Sequence, residues 1–155
     1  VRTWGFDNWL VEGFPGADAE EVYPYFLQAL EKGTPKYAIW AQGMNNADTQ
    51  TAINSVWLNY TELFINKCEE KGIEPILCTI PNCPSISHDH KNNYVRNSGY
   101  RYIDFAEAVG ATQVGSTWYD GMLYSDNVHP TETGAVALAI RAITDIPELM
   151  QEQRS

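Results

Sequence analysis

The stretch KYAIWAQGMNNADTQTAINSVWLNYTELFINKCEEKGIEPILCTI, residues 36–80, decides the fold. It opens on a short, mostly apolar run at residues 36–43 and closes on another at residues 73–80. Both have the length and composition of buried strands. Between them Ile53, Val56, Trp57, Tyr60, Leu63, Phe64 and Cys68 fall on one helical face at the i, i+3, i+4, i+7 spacing. That spacing predicts a helix from about Thr49 to Lys71. Gly72 stops it, because glycine accepts the left-handed backbone that ends a helix. Strand, long helix and strand is the order that builds a parallel sheet.

The same alternation extends in both directions. Toward the N-terminus, residues 7–12 (DNWLVE) read as a short strand followed by the turn GFPGAD. Asp18 and Glu21 have the spacing of a capping box, and Val22, Phe26, Ala29 and Leu30 form an apolar face behind them. Pro24 inside this helix predicts a kink or a late start, and Gly33 ends it. Toward the C-terminus, the connection PNCPSISHDH leads to a short helix from about Lys91 to Asn97. A strand at YRYID, a short helix at FAEAVG and an irregular aromatic loop follow. The last helix runs from about Thr131 to Ile143 and on toward Pro147. The expected fold class is therefore α/β, a largely parallel sheet with helices on both faces, in one domain over residues 1–155.

Composition bounds the function. The 155 residues are 44% hydrophobic and 19% charged, which suits one globular core. A net charge of -10 argues against a nucleic-acid partner and against an anionic membrane surface. No apolar run approaches membrane-spanning length. Five Trp and nine Tyr are more than a core alone requires, and aromatic loops favour flat ligands such as sugars. Cys68, Cys78 and Cys83 lack zinc-site spacing. Cys78 and Cys83 can pair in an oxidising compartment, but free buried thiols are the expectation taken here.

In a parallel sheet, function gathers at the C-terminal ends of the strands. Three loops are candidates there: GFPGAD, GMNNAD and PNCPSISHDH. The segment SDNVHP, residues 125–130, must join them. His129 becomes a general base if Asp126 accepts a hydrogen bond from its Nδ1 and leaves Nε2 free. The plain alternative is that Asp126 or Thr131 caps the last helix and His129 is a surface residue. A carboxamide at a strand end, as in GMNN, can donate to a developing oxyanion. The alternative there is a simple turn of Gly, Asn and Asp. A glycine before a helix, as in GFPGAD, can present a backbone N–H to an anion, or be a loop residue only. His88 and His90 alternate around Asp89 but lack the rest of a metal ligand set, so this stretch is read as a loop lining the mouth of the site.

Taken in order, these blocks resemble the later blocks of the SGNH, or GDSL-type, hydrolases. GFPGAD resembles the glycine block, which implies Gly16 as a backbone oxyanion donor. GMNN resembles the G-x-N-D block, which implies Asn45 as the side-chain oxyanion donor. DNVHP resembles the D-x-x-H block, which implies Asp126 and His129 as triad acid and base. ILCTIPN and KNNYVRNSGYRYIDFAEAVG are similar to the middle of bacterial members that act on acylated carbohydrates. The resemblance covers nearly the whole chain. It implies a flavodoxin-like α/β/α sandwich, ester hydrolysis with no metal or organic cofactor, and a periplasmic or secreted setting.

Two departures stand out. The family's Asp after the block Asn is Asn46 here, which puts supporting hydrogen bonds of that loop in question. The family's opening strand, ending in Gly-Asp-Ser with the nucleophile, has no counterpart. Ser55, Ser85, Ser87, Ser98, Ser116, Ser125 and Ser155 lie in other contexts, with Ser55 expected mid-helix. In the family that strand is central, so its loss leaves open strand edges and an apolar gap. The expectation is the larger, C-terminal part of an SGNH domain whose nucleophile-bearing first strand is cleaved and retained as a separate chain, cut away, or replaced by a swapped segment. The substrate expected is an ester, of an acylated carbohydrate above others. The rival expectation is a noncatalytic carbohydrate-binding or scaffold domain that has lost its nucleophile.

Overall fold

The computed structural model describes residues 10–49, 51–113 and 115–150. Three strands form one parallel sheet in the order β1-β2-β3: β1 is Tyr37–Trp40, β2 is Glu74–Cys78 and β3 is Arg101–Ile103. Tyr37 pairs with Glu74 and Trp40 with Leu77, while Cys78 pairs with Ile103. The helices are α1 (Ala19–Leu30), α2 (Ser55–Lys71), α3 (Asp89–Asn97), α4 (Phe105–Ala108) and α5 (Glu132–Asp145), with a 3-10 turn at Pro147–Met150.

Strand side chains alternate between faces, and the core divides accordingly. Trp40 and Leu77 point to one face, where they pack with Val22 of α1, Trp57, Phe64 and Cys68 of α2 and Val95 of α3. Trp40 stacks on Phe64 at 4.8 Å, and Phe26 meets both rings. Ile76, Cys78 and Ile103 point to the other face, under Ala142 of α5, Ile146 and Leu149. The result is three layers, helices on both faces of a parallel sheet, as the alternation of elements predicts.

The helix ends are set by specific side chains. Asp18 and Glu21 form the capping box reciprocally, each accepting the other's backbone N–H at 3.0 Å. α1 therefore starts immediately after Asp18, not late, with Pro24 inside it. α2 starts at Ser55, six residues later than Thr49. Asn54 accepts the N–H of Trp57 at 3.0 Å and caps the helix there. Residues upstream form a turn in which Thr49 Oγ1 accepts the N–H of Ala52 at 2.9 Å. Ser55 is thus an exposed first-turn residue rather than mid-helix. α3 starts at Asp89, two residues before Lys91.

The strand expected over 7–12 falls partly outside the described residues, and residues 10–12 form no strand. A strand exists only beside a hydrogen-bonded neighbour, and these residues pair with none among the described residues. They line instead a groove of about 1230 Å³ that also follows β1. Tyr37, Ala38, Ile39, Trp40, Ala41 and Gln42 all line it. Consecutive strand residues point to opposite faces, so a groove touching all six runs along the strand's edge. That edge is the one β2 does not occupy.

Thr131 caps α5 by accepting the N–H of Gly134 at 3.2 Å, and its hydroxyl donates to the Gly121 carbonyl at 2.5 Å. A Cβ on Gly134 would collide with the Met122 carbonyl, so the glycine lets α5 sit directly on this loop. Thr131→Ala should lower stability by about 1–2 kcal/mol, read from urea unfolding.

Candidate active site

The segment from Met122 to Thr131 closes on itself. Thr131 N–H donates to the Met122 carbonyl at 2.9 Å, Tyr124 N–H to the His129 carbonyl at 2.8 Å, and Leu123 and Pro130 form an antiparallel bridge. Asn127 takes a left-handed φ of 60°, a conformation asparagine tolerates at a tight turn. The turn folds Asp126 back onto His129. Asp126 Oδ2 lies 2.7 Å from His129 Nδ1, and its Oδ1 accepts the N–H groups of Val128 and His129, both at 2.9 Å. The two candidate roles for this segment are both filled. Thr131 is the helix cap, and Asp126 holds the imidazole.

These hydrogen bonds settle the tautomer. The backbone N–H of His129, then that of Val128, then the imidazole itself hold the Asp126 carboxyl down at about 2. At neutral pH it is a carboxylate and can only accept, so Nδ1 carries the proton. In the neutral ring Nε2 is then the lone-pair nitrogen. The His129 side chain is 76% exposed, so that nitrogen is open to a reacting group.

The other two expected residues meet at the turn before α1. Gly16 adopts a left-handed φ of 73° in the turn before α1. Asn45 donates its Nδ2 to the Ala17 carbonyl at 2.9 Å. A carboxamide carries two N–H donors, so one orients the side chain and one remains. Asn46 is buried, and its Oδ1 accepts the N–H of Ala19, the first residue of α1, at 2.9 Å. A carboxylate would accept that bond equally, so the replacement of the family's Asp preserves the contact between the two loops. Asn45 and the neighbouring Ala17 also line the groove along β1. The structure therefore assembles the expected residues as two pairs, Asp126 with His129 and Asn45 with the Gly16 turn.

Gly43 lies at the base of the Asn45 loop with φ of 128°. A Cβ there would lie 2.5 Å from Ile80 Cδ1 and 2.6 Å from Trp57 Nε1. Trp57 uses that nitrogen to donate to the Gln42 carbonyl at 2.8 Å. Neither this contact nor the bond from Ala19 to Asn46 has a local sequence signal, since the partners lie 15 and 27 residues apart.

The loop after β2 carries Cys83 and His88. Cys83 is buried, and its thiol is pushed up first by burial and then by the nearby Asp126 carboxylate, which removes it as a thiolate nucleophile. All three cysteines are free and buried. His88 is fully buried, not a residue of an open mouth, and burial followed by the charge of Lys91 pushes its imidazole down to about 3. No three His, Cys, Asp or Glu residues converge as a metal site among the described residues.

The assembled layers match solved structures. A GDSL-like lipase from Bacteroides thetaiotaomicron superposes with a TM-score of 0.68 at 12% identity, over 90% of this chain and 75% of that one. A family 3 carbohydrate esterase from Talaromyces cellulolyticus gives 0.66 at 16% identity, over 89% and 70%. The chain has the SGNH-hydrolase fold. An acetylxylan esterase from Geobacillus stearothermophilus gives 0.60 at 16% identity, over 88% of this chain and 69% of that one. No family model and no curated protein matches the chain by sequence. Identities this low carry the SGNH fold and leave the chemistry to the site.

Proposed function

We propose that this SGNH-fold chain is the larger part of a serine ester hydrolase. The observation that carries the reading is the Asp126–His129 contact, with Nδ1 held at 2.7 Å and the ring exposed. An imidazole in that tautomer takes a proton from a hydroxyl nucleophile through Nε2 and later returns it to the leaving alcohol. Asp126 stabilises the imidazolium that forms between these steps. Asn45, through its second amide N–H, and the Gly16 backbone N–H stabilise the tetrahedral oxyanion.

The nucleophile comes from a serine on an extended segment outside residues 1–155, seated in the groove along β1. Three features support this. The groove follows the free strand edge, its volume exceeds the roughly 300–1,000 Å³ of an ordinary small-ligand pocket, and it reaches Asn45. A strand placed there would give residues 10–12 the pairing neighbour they lack among the described residues. The ester is one of an acylated carbohydrate. Tyr124, whose backbone N–H binds the His129 carbonyl, is exposed beside the imidazole, and Tyr119 is exposed in the preceding loop, which suits the face of a sugar ring.

The test is labelling of the full-length protein with a serine-reactive fluorophosphonate, followed by peptide mapping. The label is expected on a serine outside residues 1–155, with turnover of p-nitrophenyl acetate lost in step. Label on a serine within residues 1–155 would overturn the assignment of the nucleophile. No label and no turnover would favour a noncatalytic carbohydrate-binding domain.

A further inference from the structure

Three residues beyond Asn45 lies Asp48, whose side chain is completely buried. Its carboxylate joins three separate segments. Oδ1 accepts the N–H of Asn54, the cap of α2, at 2.9 Å. Oδ2 accepts the N–H of Lys91, in the first turn of α3, at 3.0 Å. The Lys91 ammonium, also completely buried, lies 3.6 Å from Oδ1, too far for a good hydrogen bond but close enough to neutralise the charge. The same short loop is tied by Asn54 Nδ2 to the Ala47 carbonyl at 2.7 Å and by Asn46 to α1.

A buried ion pair is a poor device for stability, because apolar residues of equal volume do as well. It has another use here. A carboxylate offers one oxygen to each of two backbone N–H groups from two different segments, and the Lys91 ammonium sets an opposite charge beside it in the core. We propose that Asp48, paired with Lys91, is a positioning residue that fixes the Asn45 carboxamide where an oxyanion develops. This rests on the ester-hydrolase reading for its catalytic meaning. Burial, only partly offset by Asp48, pushes the Lys91 ammonium down to about 8, so the cation is still present at neutral pH.

The test is a double-mutant cycle in the full-length enzyme with p-nitrophenyl acetate. Asp48→Asn turns one acceptor into a donor that faces a backbone N–H. It is expected to lower kcat about 10- to 100-fold with KM little changed. Asn45→Ala alone is expected to cost about 10²- to 10³-fold. If Asp48 acts through Asn45, adding Asp48→Asn to Asn45→Ala costs nothing further. An equal loss in both backgrounds, or no loss in the first, would overturn the proposal. Should Asp48→Asn fail to fold, the cycle is run with Asp48→Asn/Lys91→Met, which removes both charges together. The amide ¹⁵N signal of the Asn45 side chain gives a readout independent of turnover. It is expected to shift in the Asp48 variant, and an unmoved signal would overturn the positioning role. An enzyme in which even wild type fails to turn over esters would remove the hydrolase reading, and the Asn45 signal alone would then decide the matter.

Discussion

Replacing His129 by alanine should lower ester turnover by the full-length protein roughly 10⁴- to 10⁶-fold while leaving its melting temperature close to that of wild type. The two halves of this expectation have separate causes. The imidazole is 76% exposed, so its removal opens no cavity. Yet in the proposed mechanism it is the base that takes the nucleophile's proton. Asp126→Asn is the sharper experiment. The Asn carbonyl can still accept from the N–H groups of Val128 and His129, which bind Oδ1 now, so the turn keeps its shape. The amide nitrogen then faces Nδ1 as a donor. The ring must accept at Nδ1 and carry its proton on Nε2, where the lone pair is needed. A loss of roughly 10⁴-fold with an unchanged fold is expected. Turnover within tenfold of wild type for either variant would sink the assignment of the pair. In the wild type the Asp126 carboxyl is held low, so the contribution of its charge to the folded turn is complete above the ordinary carboxylate range. It is lost only as pH falls through about 2.

Gly43→Ala should be strongly destabilising. The added methyl meets Trp57 and Ile80 at 2.6 and 2.5 Å, and the backbone at φ 128° is itself unfavourable for alanine. Trp57 cannot move aside without losing its bond to the Gln42 carbonyl and its edge contact with Tyr94. The Ile80 backbone is anchored, since its N–H donates to Asn92 Oδ1 and its carbonyl accepts from Asn92 Nδ2, both at 2.7 Å, so only its side-chain end can give way. The expected cost is about 2–4 kcal/mol, a fall in melting temperature of roughly 5–15 °C for a domain of this size. Because Gly43 starts the turn that carries Asn45, turnover should fall even where the variant remains folded. An alanine variant that melts within about 2 °C of wild type would show that the Trp57 ring is not locked as described.

The layered α/β/α arrangement was legible because apolar periodicity is a local property. The Trp57, Phe64 and Cys68 face and the apolar runs around Ile39 and Ile76 need no knowledge of the partner. The Asp126–His129 contact was legible for the same reason, since three residues of a turn bring it about. Boundaries were less so. Asn54 rather than Thr49 caps α2 because Asp48 pulls the Asn54 N–H into place, and Asp48 itself is held from α3, 43 residues away. The burial of Lys91 was invisible for a deeper reason. Nothing in KNNYV distinguishes a lysine on a solvated face from one sealed against a carboxylate. Asn46 read as a defect until its partner, Ala19, was known.

The distribution of these hydrogen bonds along the chain has a kinetic consequence. The loop holding the imidazole is closed by contacts no more than ten residues apart, so its ordering entropy is small and it can form on its own early in folding. The Asn45 loop is closed by bonds spanning 27, 28 and 43 residues, and it exists only once α1, α2 and α3 have docked. The two halves of the site therefore answer to different events. Mild heat or denaturant should release Asn45 while His129 is still held, so the proposed base would outlast the proposed cradle for the oxyanion.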